Sequence, residues 1–414
     1  MDTSTPAVSP TAASTSPTSA STASAAPRET YAPVWRTVAT FVPAGLLATG
    51  HLYLVIPLLA RMSADWGTPA SALTWLVSAF GLGYAAGFLA FGPLSDLYGR
   101  RRVMTWGTAA TAVTTALVAL SPGPGTALAL RLVEGVTTAV FAPTAFSYIA
   151  ERVEPRRRTF TMTSVVSALF ASAVVAQLAG KALVDLLGWR PVFLLGGAAF
   201  AVVAVVLRRV MLPDTGRRVA VNPYAVVPAL LRNPRLVLVY AATPTILGAF
   251  VAVYTGLQLQ GPAGIAGDPS ALLTLRATAL PAIVAIPFAT PCLARISPAR
   301  RAALAVGAAA VLALVVGLAA HGVVALAVLL AGFAFAIGVA APAFIETVGL
   351  LAGPARGTAV SLFTFFLFTG ASIGPVVASA AASYGFAALM SGVAGVLALG
   401  GGLVLIASSG RRIR

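Results

Sequence analysis

The sequence predicts an all-α membrane protein in which twelve transmembrane helices form two pseudo-symmetric six-helix bundles. Charged residues make up only 9% of the 414 residues, whereas a soluble globular chain carries roughly 25%. Hydrophobic residues make up 58%, and the mean hydropathy is +0.92. Because one bilayer crossing needs about 20 apolar residues, the chain has room for about twelve crossings. These values argue against a soluble enzyme, a secreted domain and a DNA-binding protein.

Residues 1–34 are predicted to form a disordered cytoplasmic tail. Most of this segment is Ser, Thr, Ala and Pro, and such a composition cannot bury enough apolar surface to offset the entropy lost on ordering. The segment has neither the basic start nor the apolar stretch of a secretory signal peptide. We therefore do not expect it to act as one.

Twelve apolar runs follow the tail, separated by short polar breaks. Each run is about long enough to cross a bilayer, and helices are expected because lipid offers no partner for exposed backbone groups. The predicted spans cover residues 37–60, 71–94, 104–121, 126–149, 160–183, 190–211, 236–258, 271–293, 300–320, 323–346, 358–381 and 387–408.

The longest connection divides these spans into two sets of six. The predicted units are a first six-helix bundle over residues 35–212, a central cytoplasmic loop over 213–235, a second six-helix bundle over 236–408 and a cytoplasmic tail over 409–414. A duplication is supported by two short basic segments, because Leu94–Arg102 follows the second span and Leu293–Arg301 follows the eighth. Internal repeats of this kind are common in membrane transporters.

The net charge of +16 is a topology signal. Arg and Lys concentrate in the cytoplasmic loops of membrane proteins, and 22 of the 27 basic residues lie in one alternating set of loops that includes both chain ends. Both termini are therefore predicted to be cytoplasmic, in a multi-pass protein of the cell (plasma or inner) membrane, and nucleic acid is not implied as a partner. The single Lys among 27 basic residues is typical of a GC-rich, bacterial genome.

The most specific motif follows the second span and reads Gly-Pro-Leu-Ser-Asp-Leu-Tyr-Gly-Arg-Arg-Arg over residues 92–102. Its glycines permit a tight turn and close helix contact, and its Asp can pair with cytoplasmic arginines or lie at a positive helix N-terminus. The motif resembles the loop signature of the major facilitator superfamily. The resemblance implies two six-helix bundles around a central cavity that opens alternately to each side. It also implies a conformational switch that ties the bundles together in one state, built from Gly92, Asp96, Gly99, Arg100 and Arg101.

Three ionisable residues inside spans are candidates for proton coupling. Arg131 and Glu134 are three residues apart in the fourth span, so they share a helix face and can pair; the segment resembles a second family signature, in which an amide commonly stands at the position of Glu134. Ionisable groups at membrane depth are costly and indicate function. Glu134 is the expected proton carrier with Arg131 as its modulator, and a structural ion pair is the alternative. His51 in the first span is either a further proton site or a hydrogen-bonded packing residue.

Tyr53, Gln177, Lys181 and Arg276 are candidates for the substrate cavity. The fifth span, which contains Gln177 and Lys181, departs strongly from the Gly- and Pro-rich signature of typical drug:proton antiporters of the family. Lys181 and Arg276 lie near the outer ends of their spans, where each either reaches toward the interface or faces the cavity and binds an anion.

Gly370, Gly374 and Pro375 in the eleventh span are predicted packing residues, and they too resemble family features. Glycines allow two helices to approach closely, and a proline inside a helix removes a hydrogen bond and favours a kink.

The resemblance implies a secondary active transporter, most like the family's proton-coupled efflux group, that exports a small organic molecule (a drug, metabolite or sugar) by alternating access. A facilitator-type importer of a sugar or organic anion is one alternative, and a membrane enzyme that uses His51 is another. No cofactor is expected besides the proton gradient, because no nucleotide-binding or hydrolase motif is present. One Cys and two His argue against a metal site. The expected partners are the small-molecule substrate and the lipid bilayer, and the expected state is a monomer.

Overall fold

A computed structural model describes residues 2–3, 31–214, 223–262, 265–319 and 322–409. Within these ranges every regular element is helical. The predicted disordered tail lies almost wholly outside the described residues, as do residues 215–222 of the predicted central loop and residues 410–414 at the C-terminal end.

The first half of the chain contains six membrane-length helical segments, two of which are interrupted. The helices are α1 (Val34–Leu54), α2 (Leu59–Trp66), α3 (Ala70–Leu73), α4 (Trp75–Tyr98), α5 (Arg100–Ala119), α6 (Pro124–Thr138), α7 (Phe141–Arg152), α8 (Pro155–Leu187) and α9 (Trp189–Val210). A 3-10 turn at Ile56–Leu58 joins α1 to α2, and α6 with α7 forms the fourth span.

The second half repeats this arrangement after a connection whose residues 215–222 are not described. Its helices are α10 (Val227–Arg232), α11 (Pro234–Gln260), α12 (Pro269–Ala277), α13 (Leu280–Leu293), α14 (Pro298–Ala319), α15 (Val323–Ala352), α16 (Arg356–Ala380) and α17 (Phe386–Ser409), with 3-10 turns at Pro223–Val226, Gly353–Ala355 and Ala381–Tyr384. Helices α12 and α13 together form the eighth span, and the break between them lies at Thr278 and Ala279.

The described residues thus form twelve spans, which confirms the predicted fold class. Length and composition alone mark ten helical stretches of the described residues as able to cross a membrane. One of these, residues 323–380, contains both α15 and α16. The stretch not marked is α5, which begins with three arginines and contains five threonines. Large apolar side chains such as Leu82, Val202 and Leu399 are exposed on the outer surface, as expected for contact with lipid.

The same pairs of spans pack together in both halves. In the first half, α1 packs on α8, α4 on α6 and α5 on α9; in the second half, α11 packs on α16, α13 on α15 and α14 on α17. In order along each half, these are the first span with the fifth, the second with the fourth and the third with the sixth. The internal duplication is therefore visible in the packing. Helices α4 with α16 and α8 with α13 make the main contacts between the halves.

Glycines set the closest of these helix approaches. A Cβ on Gly135 would overlap the backbone carbonyl of Phe80, so α6 and α4 are in backbone contact there. In the second half a Cβ on Gly370 would overlap the carbonyl of Pro244, and one on Gly374 would lie 2.6 Å from the carbonyl oxygen of Gly248. Gly370 and Gly374 thus occupy the α11–α16 contact, and α16 continues as a helix through Pro375.

Candidate functional site

The motif at residues 92–102 forms a contact between the two halves. It lies at the end of the helices where the Arg residues of segments 100–102, 152–158, 208–209 and 300–301 are found, which we call the Arg-rich end. Asp96 at the end of α4 forms an ion pair with Arg100, and its Oδ2 accepts a hydrogen bond of 3.2 Å from Thr358 Oγ1 of α16. Arg100 also pairs with Glu151 of α7, with 2.8 Å between Nη2 and Oε1. We call Asp96, Arg100 and Thr358 the interhalf contact.

The glycines of this motif allow the contact to form. A Cβ on Gly92 would overlap the Ser361 side chain of α16. Gly99 has a φ of +95°, a left-handed conformation that favours glycine. This turn places the N-terminus of α5 against Asp214, whose carboxylate accepts the backbone N–H of Arg101 at 2.9 Å. The guanidinium of Arg101 donates to the Arg208 carbonyl at 3.0 Å, so Arg101 holds the end of α9 rather than the other half.

Three of the predicted ionisable residues form one buried cluster. His51 Nδ1 lies 2.9 Å from Glu134 Oε1, and Arg131 Nη1 lies 2.9 Å from Glu134 Oε2. Thr115 Oγ1 of α5 donates to Glu134 Oε1 at 2.8 Å. Arg131 and Glu134 are fully buried and His51 is 2% exposed. We call His51, Arg131 and Glu134 the charged cluster.

Backbone carbonyls and aromatic rings enclose the charged cluster. Arg131 donates to the carbonyl of Leu76 at 3.3 Å and to that of His51 at 3.1 Å, and its guanidinium lies 4.4 Å from the centre of the Phe80 ring. The His51 ring lies 4.9 Å from the Phe200 ring. Its Nε2 is buried and has no hydrogen-bond partner among the described residues.

A central cavity lies between the halves and is separate from the charged cluster. Its empty space, including its opening to solvent, is about 1020 Å³, and residues of α1, α7 and α8 line it together with residues of α11 to α13, α15 and α16. The lining is mostly aliphatic and aromatic. Of the predicted cavity residues, the structure places Tyr53 and Arg276 in this lining.

The other two predicted cavity residues point elsewhere. The Gln177 amide donates to the carbonyl of Ala173 on its own helix at 2.7 Å, and it is not part of the described cavity wall. Lys181 is exposed near the end of α8 and also lies outside that wall. The rotation of α8 about its axis decides both placements, because Ala173 and Val174 of the same helix do line the cavity.

Several contacts of the candidate site residues were not predicted. Tyr254 lies beside Arg276, with 5.0 Å from the guanidinium carbon to the ring centre, but an aromatic residue in an apolar span gives no signal distinct from core packing. Thr115 and Thr358 likewise look like ordinary helix threonines in the sequence. Only the position of Thr358, directly after the Arg-Gly pair that precedes the eleventh span, could have indicated a contact at the Arg-rich end.

A model of one protein family, the Major Facilitator Superfamily, matches residues 41–375. This chain belongs to the major facilitator superfamily. Two relatives are a probable transporter of Streptomyces coelicolor, 29% identical over 53% of this chain and 52% of its own length, and a cephamycin export protein of Amycolatopsis lactamdurans, 30% identical over 36% of this chain and 32% of its own length. The chain thus spans about half the length, or less, of these relatives.

The crystal structure of the human organic anion transporter MFSD10 (TETRAN) has the same fold, with a TM-score of 0.68. The superposition covers 90% of this chain and 99% of that one, at 20% sequence identity. Membership of this family agrees with the multi-span membrane architecture of the described residues. Family membership and transporter relatives favour transport over the alternative of a membrane enzyme that uses His51.

Proposed function

We propose that this major facilitator protein is a proton-coupled exporter of a small organic molecule, placed in the cell membrane with both termini in the cytoplasm. The observation that carries the proposal is the position of α1 between the central cavity and the charged cluster. One side of α1 contributes Thr49 and Tyr53 to the cavity lining. His51, between them in sequence, belongs to the charged cluster.

Helix geometry explains how α1 contributes residues to both the central cavity and the charged cluster. Residues four apart lie on the same face of an α-helix, and residues two apart are rotated by about 200°. Thr49 and Tyr53 therefore share a face, and His51 projects from the opposite face. A shift or rotation of α1 when the cavity fills would also displace the His51 ring against Glu134. Such a shared element can link ligand binding to proton binding, provided that both have different affinities for the two states.

The charged cluster suits a proton that is exchanged between states. Arg131 and Glu134 compensate each other's charge, so with neutral His51 the cluster has no net charge. Imidazole is the side chain that changes protonation near neutral pH. Protonation of His51 would change the net charge of this enclosed cluster by one and would place a second N–H on the ring, whose Nε2 has no hydrogen-bond partner among the described residues. Proton transfer to this ring would therefore accompany a change in packing that offers Nε2 a partner.

The export direction rests on a relative, because the similar cephamycin protein is named for export. The Arg-rich end is predicted to face the cytoplasm, which sets the orientation of the protein and not the direction of transport. Uptake of an organic acid is a second candidate, although Arg276 in the cavity lining suits an acid group in either direction of transport. The two directions are separated by measuring which side of a vesicle must be loaded before movement occurs under an imposed pH gradient.

The experiment uses purified protein in proteoliposomes and compounds chosen because expression raises the tolerance of an efflux-deficient host. We expect a pH gradient to drive accumulation of such a compound. Glu134→Gln and His51→Asn should abolish this accumulation, and the protein of each variant that remains folded should retain counterflow exchange of the compound. His321→Asn alters the second histidine of the chain and is the matched control. Unchanged proton-driven accumulation in both cluster variants would remove the charged cluster from the mechanism.

A further inference from the structure

Arg276 is the charged residue in the described part of the cavity lining. No acidic side chain of that lining compensates its positive charge, and the ion pairs found among the described residues do not include Arg276. Its Nε is buried and has no hydrogen-bond partner there. Asp268, the acidic residue nearest in sequence, is exposed and accepts the backbone N–H groups of Ser270 and Ala271 at the start of α12.

A guanidinium without a counter-charge in an apolar cavity is costly unless a ligand supplies the anion. Arg276 lies in the last turn of α12, which ends at Ala277 just before the break between α12 and α13. The centre of the Tyr254 ring lies 5.0 Å from the guanidinium carbon, and Tyr53 lines the same cavity. The remaining N–H groups form the planar donor set that recognises a carboxylate through two parallel hydrogen bonds.

The rest of the cavity suits an apolar and aromatic body. Aromatic side chains contribute much of the wall: Tyr53, Phe146, Phe170, Phe250, Tyr254 and Phe368. Phe170 of α8 meets Phe250 of α11 edge to face at 5.4 Å, so rings from both halves face the same space. A cationic compound would find a like charge and no carboxylate in this lining. A neutral polar compound such as a sugar would find few hydrogen-bond partners, because the other polar lining groups are Thr49, Thr364 and the two tyrosine hydroxyls.

We infer that the cavity selects an amphipathic organic carboxylate, with its acid group on Arg276 beside Tyr254 and its aromatic or aliphatic body against the phenylalanine side chains of the lining. The inference rests on the proposed function only in taking this cavity as the transport site. It assigns a substrate class where the fold alone assigns none. Arg276 acts here as the specificity-determining residue, and the charged cluster does not contact the ligand.

Direct binding tests this without any transport. The full chain, purified in nanodiscs, is titrated by isothermal calorimetry with 2-naphthoate, with the uncharged 2-naphthamide and with the cation 2-naphthylmethylammonium. We expect saturable binding of the carboxylate, at least tenfold tighter than binding of the amide, and weaker still for the cation. Arg276→Gln should lower carboxylate affinity tenfold or more and leave amide affinity unchanged. Arg276→Lys keeps the charge and should retain a preference for the carboxylate.

Lys181→Gln is the matched control, because it removes a cation that is exposed and lies outside the cavity. Retained amide binding shows that a variant is folded. No saturable carboxylate binding, a preference for amide or ammonium, or an unchanged carboxylate-to-amide ratio in Arg276→Gln would overturn the inference. The proposed function fails separately: carboxylate-selective binding without proton-driven transport would disprove proton coupling and leave the ligand assignment standing.

Discussion

Among single residues, the free-energy cost of burying charge explains why the charged cluster has so many hydrogen-bond partners. Glu134 has Arg131, His51 and Thr115 around its two carboxylate oxygens, and Arg131 adds two backbone carbonyls. Such saturation is what allows a fully buried pair to exist at all. The pair therefore holds α6 against α1, α4 and α5, in addition to any part it takes in proton transfer.

Removal of one partner of this pair should be far more harmful than removal of both. Arg131→Met leaves Glu134 uncompensated, and loss of one partner of a buried pair typically costs about 3–5 kcal/mol. Arg131→Met with Glu134→Met should recover part of that loss. The measurement is thermal unfolding of detergent-purified protein.

Arg190→Met provides the contrast for this pair. Arg190 lies 2.6 Å from Asp65, but both side chains are 44% exposed, and exposed pairs contribute about 1 kcal/mol or less. Equal losses for Arg131→Met and Arg190→Met would contradict the assigned role of burial.

At the scale of helices, the glycine contacts decide how closely neighbouring spans approach. Gly135 against Phe80 brings α6 and α4 into backbone contact, and Gly370 against Pro244 does the same for α16 and α11. Without a hydrophobic driving force between helices in lipid, such close packing is a main source of association. The two contacts join the fourth span to the second and the fifth span of the second half to its first.

Gly135→Ala should therefore destabilise the protein although alanine is the better helix former. The added methyl group has a backbone carbonyl in its way, and overpacking of this kind costs about 1–3 kcal/mol. Gly392→Ala is the control in another span, since nothing lies within 4 Å of its Cβ position, and we expect unchanged or slightly higher stability. Thermal unfolding of both variants measures the difference; a stable Gly135→Ala protein would show that α4 and α6 can separate freely.

In the whole molecule, the interhalf contact holds the two halves together at the Arg-rich end. A state that is open at this end would have to break it. The hydrogen bond from Thr358 to Asp96 and the Gly92–Ser361 approach both join α4 to α16. In the second half the equivalent basic segment has no counterpart of Asp96, and Arg301 pairs with Glu346 of its own half. The two repeats are thus not equivalent at this end.

Thr358→Val should shift the molecule toward the state in which this end is open. The readout is the thiol-labelling rate of Ser361→Cys, prepared with Cys292→Ser to remove the native exposed thiol. Ser361 is 1% exposed, and its hydroxyl has no partner among the described residues, so the replacement breaks no hydrogen bond seen there. We expect faster labelling with Thr358→Val and no change with Thr369→Val, which lies on the same helix and whose hydroxyl donates to the Phe365 carbonyl. Equal rates would mean that the contact does not hold this end closed.

The fold could be predicted from the sequence because the thickness of the bilayer sets the length of each apolar run. That length and the spacing between runs are local properties of the sequence. The pairing of Arg131 with Glu134 could be predicted for the same reason, since helix geometry brings residues three apart together. His51 is 83 residues from Glu134, and one sequence does not show which helices are neighbours. The cavity role of Gln177 and Lys181 depended on the rotation of α8, which an almost uniformly apolar helix does not reveal.

The two faces of α1 have a thermodynamic consequence. If occupancy of the cavity beside Thr49 and Tyr53 makes protonation at His51 tenfold easier, then acidification must tighten ligand binding by the same factor of ten, because equilibrium coupling between two sites is reciprocal. Such a transporter would bind its cargo best on the acidic side of the membrane. Only the opposite sign of coupling, in which proton and cargo oppose each other, lets an inward proton gradient expel the cargo. A binding measurement at two pH values therefore separates co-transport of cargo with protons from exchange of cargo against protons.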